Sequence, residues 1–329
     1  MLLRIFRKTD PFVIFLIVAA VVLLWLKPLL NPGIPAASLH DTSPMPLYAL
    51  LKTFAADSHI AGTAAVMAML LLMAYLLVSF NTSVIFIEER TFLPAVIYIL
   101  LVSFFNEYQT LNPVLPASIF LIAAIRKIMN TYRIQGIAYD IFDAGFLISA
   151  GSLFYANFIV FGILLIAGIL LLRSAGIREL LLGLIGMVTP WSLITAYYYV
   201  SGKEPFEALA LLSTNLQADM PDHGLKMYEM AAIVFMTFLV LISILHLLSI
   251  INTRKIRSRK TFFLLLSALV ISVVMFIVSP SASYEMVWLA GIPESYFLAH
   301  FFLFLRRKIV SEILFTIFFL TVVLMNILN

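Results

Sequence analysis

Long apolar runs recur from one end of this 329-residue chain to the other, and they constrain its fold more than any other feature. A helix that crosses a bilayer needs about 20 consecutive, mostly apolar residues. Of all residues here, 63% are hydrophobic, whereas a soluble domain is only about half apolar. One globular core cannot bury this excess, so the surplus must face lipid. The pattern therefore predicts an all-α, polytopic transmembrane helix bundle.

Eleven runs are predicted to span the membrane, and together they form a single integral membrane domain over residues 1–329. Their predicted limits are 11–27, 60–81, 92–106, 113–128, 139–154, 156–173, 179–200, 229–251, 261–279, 287–305 and 309–327. Cytoplasmic loops of membrane proteins carry an excess of lysine and arginine. With a cytoplasmic N-terminus, all but four of the 21 cations fall on the cytoplasmic side, the exceptions being Lys27, Lys52, Lys203 and Lys226. This sorting predicts a cytoplasmic N-terminus and a periplasmic C-terminus.

Two predicted periplasmic loops, residues 28–59 and 201–228, are long enough to contain helices of their own. In the first loop, Leu47, Leu50, Leu51 and Phe54 repeat with helical spacing. Such a helix is expected to lie in the membrane interface with its apolar face on the bundle. The second loop contains a similar short amphipathic segment.

The composition excludes several kinds of site. The chain has no cysteine, which excludes disulfides, thiolate catalysis and cysteine-ligated metals. Its five histidines form no HExxH pattern, so no histidine metal site is predicted. The net charge of +4 is concentrated at the predicted membrane edges, which favours membrane lipids over nucleic acid as partners. No glycine-rich phosphate loop or Ser/His/Asp arrangement is visible, and the cofactor stays unassigned.

Asp140 and Asp143 lie three residues apart beside an apolar run, so they share one face of a helix. Two interpretations stay open. The carboxylates pair with cations at an interfacial helix start, or they belong to a site for a hard cation or a lipid phosphate. An unpaired carboxylate is costly at the hydrocarbon boundary. We therefore expect Asp143 to pair with Arg126 or Arg90.

Three further polar residues are candidate functional residues. Glu107 lies in a predicted periplasmic connection that has no cation to neutralise it. Glu294 and His300 precede the basic sequence "RRK", which puts Glu294 near the middle of the tenth predicted span. A carboxylate at that depth is a functional-site hypothesis by default. The alternatives are burial against another helix, or a shorter span that moves Glu294 to the periplasmic surface.

Several phrases together resemble an uncharacterised multi-pass inner-membrane family of Bacteroidota, a domain of unknown function. They are "ERTFLPAVIYILLVS", "NEYQTLNPVLPASIFLIAAIRKI", "FDAGFLISAGSLFY", "RELLLGLIGMVTPWSLITAYYY" and "GIPESYFLAHFFLFLRRK". The resemblance covers about residues 80–325 and implies an inner-membrane protein of a diderm cell. It implies no particular activity.

The layout is also similar to the GT-C superfamily of polyprenol-dependent glycosyltransferases. In that superfamily a first span is followed by a long outer loop with an acidic residue and a juxtamembrane helix, and here "HDTSPMPLYALLKTF" takes its place. The resemblance implies that Asp41 is a general base or metal ligand and that Glu107 lines an outer pocket. It also implies that basic residues hold a polyprenyl phosphate. The chain departs from the usual paired acidic motif, because Thr42 follows Asp41.

The predicted function is the handling of a lipid-linked cell-envelope precursor in the inner membrane, in the form of a GT-C-like glycosyltransferase. One alternative is a proton-coupled transporter or flippase that uses Glu294 and His300. Another is a non-catalytic scaffold for an envelope enzyme. An outer cleft that reaches Asp41 and Glu107 would favour the enzyme, a central cavity at Glu294 would favour transport, and a filled bundle would favour the scaffold.

Overall fold

The computed structural model describes residues 2–7, 10–30, 43–55, 59–105, 109–132, 138–172, 177–218 and 226–328. Over these residues the protein is all-helical without a strand, as predicted. In chain order the described α-helices are α1 (Leu2–Phe6), α2 (Pro11–Leu24), α3 (Leu26–Leu30), α4 (Pro46–Ala55), α5 (His59–Val84), α6 (Leu93–Val102), α7 (Val114–Asn130), α8 (Ala138–Ser152), α9 (Gly162–Leu172), α10 (Ile177–Val200), α11 (Glu207–Gln217), α12 (Met227–Ile250), α13 (Ile256–Val278), α14 (Val287–Phe304) and α15 (Lys308–Leu328). A 3₁₀-helix, Ala156–Phe161, leads into α9.

Six helical segments of the described chain are long and apolar enough to cross a membrane. They are Ile60–Val84, Ile177–Val200, Met227–Thr253, Ile256–Val278, Tyr284–Phe304 and Lys308–Leu328. These segments match six of the predicted spans and indicate a membrane protein. The remaining predicted spans correspond to α2 and α6 to α9, which are shorter than the roughly 20 residues of a lipid-facing crossing. Helix length therefore supports six spans and not the predicted eleven.

Helix α6 shows why an apolar run is not always a long helix. All ten of its residues are buried, and it packs against α5 and α14. The hydroxyl of Tyr98, halfway along α6, donates to the carbonyl oxygen of Trp288 at 3.0 Å. Non-helical backbone at membrane depth is tolerated where protein surrounds it. A helix in this position is not required to match the bilayer thickness.

One end of the bundle collects cations, and we call it the basic end. Arg7 and Glu89 pair there at 2.8 Å, which joins the N-terminal helix to the segment after α5. Arg254, between α12 and α13, pairs with Glu88 of the same segment at 3.1 Å. The Nζ of Lys260 also donates to the carbonyl oxygen that ends α9, at 3.4 Å. The basic end therefore gathers the ends of α5, α9 and α12 and the start of α13.

The opposite end of the bundle is held by uncharged hydrogen bonds. Trp25 Nε1, just after α2, donates to Ser103 Oγ at 3.1 Å. The side-chain amide of Asn326, near the end of α15, donates to the carbonyl oxygen of Ser103 at 2.6 Å. These bonds place the ends of α2, α6 and α15 together. Charged side chains therefore hold the basic end together, and hydroxyl and amide groups hold the opposite end together.

Helices α8 and α10 pack at backbone contact through glycines. A Cβ added at Gly186 of α10 would lie 2.3 Å from the carbonyl oxygen of Phe142, and one added at Gly145 of α8 would lie 2.4 Å from that of Gly183. Small residues that let helix backbones approach are typical of membrane helix interfaces. The close contact fixes α10 on one side and leaves its other side on the outside of the bundle.

Candidate functional site

Two short helices, α4 and α11, pack together over the opposite end of the bundle. They share an apolar cluster, here called the interfacial cluster, formed by Met45, Tyr48, Leu51, Leu111, Phe154, Ala156, Trp191, Leu211, Leu212 and Leu216. Hydrogen bonds fix its rim. Tyr48 donates to the carbonyl oxygen of Leu111 at 3.0 Å, and Trp191 Nε1 donates to Ser152 Oγ at 3.1 Å. Both amphipathic helices were predicted, and the structure confirms them.

The buried face of α4 differs from the predicted one. Tyr48 is buried and Leu51 partly buried, whereas Leu50 is exposed. The side chain of Phe54 is outside the described part of the structure. A polar tip allows tyrosine to sit in the cluster because its hydroxyl reaches a carbonyl acceptor. Leucine periodicity therefore placed Leu51 correctly and Leu50 incorrectly, and it missed Tyr48.

An apolar groove of about 550 Å³ lies between α10 and α11. It is lined by Val188, Trp191, Ser192, Thr195, Ala196, Tyr199, Pro205 and Leu209. The hydroxyls of Ser192 and Thr195 donate to backbone carbonyls of α10 itself, at 2.8 Å each. Because both hydroxyls already donate hydrogen bonds within α10, they do not make the groove polar. Ligand pockets generally measure roughly 300–1,000 Å³, and this one suits a hydrocarbon chain better than a sugar.

A buried polar network lies beside the interfacial cluster, between the 3₁₀-helix and the start of α14. The side-chain amide of Asn157 donates to Ser281 Oγ at 2.9 Å and to the Tyr155 hydroxyl at 3.0 Å. Ser279 Oγ donates to Asn157 Oδ1 at 3.0 Å. Burial raises the pKa of Tyr155, so its hydroxyl stays neutral. The carboxylate of Glu285 is buried next to this network.

A second polar group surrounds Gln109 at the same end. Its amide nitrogen donates to the carbonyl oxygen of Ser103 and to Asn326 Oδ1, both at 3.1 Å. Its side-chain oxygen is buried and accepts no hydrogen bond from the residues that the structure describes. Buried amide oxygens nearly always accept one, so this atom faces a site for water or another donor. Gln109 lies two residues after the predicted pocket residue Glu107 in the chain.

The two predicted catalytic residues, Asp41 and Glu107, lie outside the residues that the structure describes. Their roles as base or metal ligand and as pocket residue stay predictions. Among the described side chains, no group of three histidines or carboxylates could hold a metal ion. The described chemistry at this end therefore comes from amide and hydroxyl groups, the buried carboxylates of Glu229 and Glu285, and an apolar groove.

Asp140 and Asp143 are paired, but with a lysine and not with an arginine. Lys127 Nζ lies 2.7 Å from Asp143 Oδ2 and 3.2 Å from Asp140 Oδ1. The predicted partners were wrong for a geometric reason. Arg126 is one residue earlier, about 100° around α7, and its side chain donates to Ser79 Oγ of α5 at 3.3 Å. Arg90 is exposed.

Glu294 and His300 share α14 but do not form a pair. Six positions on a helix correspond to about 600° of rotation, which leaves them on different faces. Glu294 is half-buried and makes no hydrogen bond or ion pair with the described residues. His300 is buried, and its ring centroid lies 6.3 Å from that of His246 on α12. The predicted proton-coupled pair is therefore not assembled, and a histidine pair stands in its place.

Sequence reasoning missed His246 and Glu285. A histidine within an apolar span is costly unless it has a role, and the run "SILHLLS" contains one. The signal for Glu285 was the stretch "SPSASYEM", in which serines and a carboxylate precede a span without a neighbouring cation. Both signals were available from the rule that drew attention to Glu294.

Comparisons with known proteins provide a family and nothing further. Searches of curated proteins and of solved structures give no match. A family model described as a family of unknown function (DUF6427) matches residues 45–329. The match covers α4 to α15, which includes the interfacial cluster, the groove and both polar groups. The chain therefore belongs to this family of unknown function, DUF6427.

Proposed function

We propose that the protein handles a lipid-linked cell-envelope precursor and holds its hydrocarbon chain in the groove between α10 and α11. The observation that carries this proposal is an apolar groove of about 550 Å³ beneath an amphipathic helix. Its wall residues Val188 and Tyr199 are exposed on the outside of the bundle. A chain could therefore enter sideways from the lipid.

The surroundings of the groove supply places for a polar headgroup. Lys203 lies just beyond the end of α10, with its Nζ 5.2 Å from the ring centroid of Tyr198. Cations at a membrane edge attract anionic headgroups. The interfacial cluster holds α11 against Trp191 of α10. The groove therefore has one wall formed by α10 and one wall formed by the short helix α11. This arrangement favours binding of an amphiphile over binding of a soluble sugar.

We further propose that the reaction is a GT-C-like glycosyl transfer in the inner membrane of a Bacteroidota cell. Asp41 is the general base or metal ligand in this proposal, and Glu107 lines the pocket. The support is the architectural resemblance and the position of Gln109, which brings the end of the "NEYQ" stretch next to Ser103 at the groove's end of the bundle. Transport and scaffolding stay alternative predictions.

We also propose eleven crossings, with the N-terminus cytoplasmic and the C-terminus periplasmic, so that the short helices α2 and α6 to α9 are among the crossings. The support is that α6, α7 and α8 each run between the basic end and the opposite end. Cysteines at Arg4 and Lys255 are then expected to react with an impermeant thiol reagent from the same side, because eight of the predicted spans separate them. The six long segments alone would put three crossings between these positions and therefore place them on opposite sides. The chain has no native cysteine, so the background is clean. Reaction from opposite sides would contradict the eleven-span topology.

Lipid that co-purifies with the protein tests the function. Native mass spectrometry of the detergent-extracted protein is expected to show a bound phosphate-linked lipid. Ala196→Trp fills the groove and is expected to remove that lipid. Leu184→Trp, on the exposed side of α10 but outside the groove, is the matched control and should retain it. Retention of the lipid by both variants would exclude the groove as its site.

A further inference from the structure

A third polar cluster lies at the basic end, which is the other end of the bundle from the groove. His300, only 2% exposed, is its centre. Its ring centroid lies 4.5 Å from that of Phe304 and 6.3 Å from that of His246. The ring of Phe86 lies on another side at 6.0 Å. Helices α12 and α14 and the segment after α5 therefore surround one histidine with mostly aromatic neighbours.

Arg254 completes this cluster from the α12–α13 connection. Its Cζ lies 4.6 Å from the centroid of the same Phe304 ring that contacts His300. One terminal nitrogen, Nη1, pairs with Glu88 Oε2 at 3.1 Å. The carboxylate of Glu88 orients the guanidinium and neutralises its positive charge. Phe304 thus holds Arg254 and His300 in one neighbourhood.

Three nitrogens of this cluster have no hydrogen-bond partner within the described part of the chain. They are Nδ1 of His300, Nδ1 of His246 and Nε of Arg254, and all are buried atoms. An arginine Nε–H can only donate, and a histidine Nδ1 that carries the proton also donates. Buried polar atoms without a partner are uncommon and call for a bound water or ion. Arg254 Nε–H therefore requires an acceptor, and a histidine Nδ1 that carries its proton can donate to the same acceptor.

We propose that His246, His300 and Arg254 bind a phosphate group at the basic end. A phosphate offers several acceptor oxygens. Arginine donates charge-assisted hydrogen bonds to it, and N–H groups of neutral histidines donate further ones. The aromatic rings around the cluster exclude water and strengthen these bonds. The phosphate belongs either to a membrane lipid headgroup or to a free phosphate ion. This site is at the other end of the bundle from the groove, so it stands independently of the proposed function.

His300→Phe tests the site because it keeps an aromatic ring in the core and removes both ring nitrogens. Thermal unfolding of the delipidated protein in neutral detergent is followed with inorganic phosphate, against chloride at equal ionic strength. A second titration uses dioleoylphosphatidylglycerol. We expect at least one probe to raise the Tm of the wild-type protein. Loss of a hydrogen bond to a charged group should weaken its apparent Kd about tenfold in His300→Phe.

His246→Phe is the second variant and should weaken the same response. His246 is only partly buried, which makes this substitution the safer one for folding. Arg306→Gln removes an exposed cation at the same end and is expected to leave the response unchanged. A response to inorganic phosphate identifies a free phosphate site, and a response to the lipid alone identifies a headgroup site.

Two results would overturn the proposal. One is a wild-type Tm that neither probe raises. The other is a wild-type response that both histidine variants retain in full. In the second case the orphan nitrogens would merely be unsatisfied, and their replacement by phenylalanine should raise the Tm without any ligand.

Discussion

Helices α14 and α10 have similar compositions but occupy opposite environments. The candidate spans that contain them have mean hydropathies of 1.3 and 1.6, yet 78% of the first window is buried in protein and only 22% of the second. Buried residues of α14 lie all around the helix. On α10 the described buried residues are Gly183, Gly186, Pro190 and Tyr198. The less apolar span is therefore the central one.

The comparison shows that polar groups mark the interior of this bundle. Tyr296 on α14 is fully buried and donates its hydroxyl to the carbonyl oxygen of Leu77 at 2.6 Å. His300 lies in the cluster at the basic end. Such groups are affordable only where protein supplies partners, because lipid supplies none. Helix α10 instead exposes leucine, valine and tyrosine to its surroundings, and its groove is the exposed feature that could accept a lipid chain.

The largest expected effect is at the centre of α14. Tyr296→Ala should lower the free energy of unfolding by about 3–5 kcal/mol, as removal of a large core aromatic generally does. It empties the space between Phe80 and Phe86, whose rings lie within 6.0 Å of Tyr296, and leaves the Leu77 carbonyl without its donor. The midpoint of thermal unfolding in detergent measures it. Tyr199→Ala, on the exposed side of α10, is the control. Similar losses from both would erase the distinction between the two helices.

The next effect is at the one face of α10 that is buried. Gly186→Ala places a methyl group against the Phe142 carbonyl and is expected to cost about 1–3 kcal/mol, as overpacking does. Alanine is otherwise the better helix former, so a loss of stability points to the close contact with α8. Leu184→Ala, exposed on the same helix, should change stability far less. A gain in stability from Gly186→Ala would contradict the close packing.

The smallest effect concerns the ion pair at the start of α8. Lys127 and Asp143 are both more than a third exposed, so their coupling should be worth about 1 kcal/mol or less. A double-mutant cycle with Lys127→Met and Asp143→Asn measures it at low and high salt. Screening should reduce the coupling at high salt. Coupling that is large and independent of salt would mean that water does not reach this pair.

The helical class, the six long apolar helices and the two short amphipathic helices followed from periodicity and apolar length. The extent of α6 did not, because its ten residues are set by the protein around them and not by bilayer thickness. The partner of Asp143 was misjudged because charge type alone does not say which of Arg126 and Lys127 faces α8. The histidine pair depends on the packing of α12 against α14, which no local pattern encodes. The sequence thus predicted where the short amphipathic helices lie, but it did not predict which side chains contact one another.

Photo-crosslinking compares the two helices most directly and tests whether the groove holds a lipid-linked molecule. A photoreactive side chain is introduced at Ala196 in the groove, or at Ala299, which is fully buried in α14. After irradiation in native membranes, mass spectrometry identifies what is attached. We expect a phosphate-linked lipid on the protein modified at Ala196 and none on the protein modified at Ala299. Ordinary phospholipid alone at Ala196, or no lipid at all, would contradict the account.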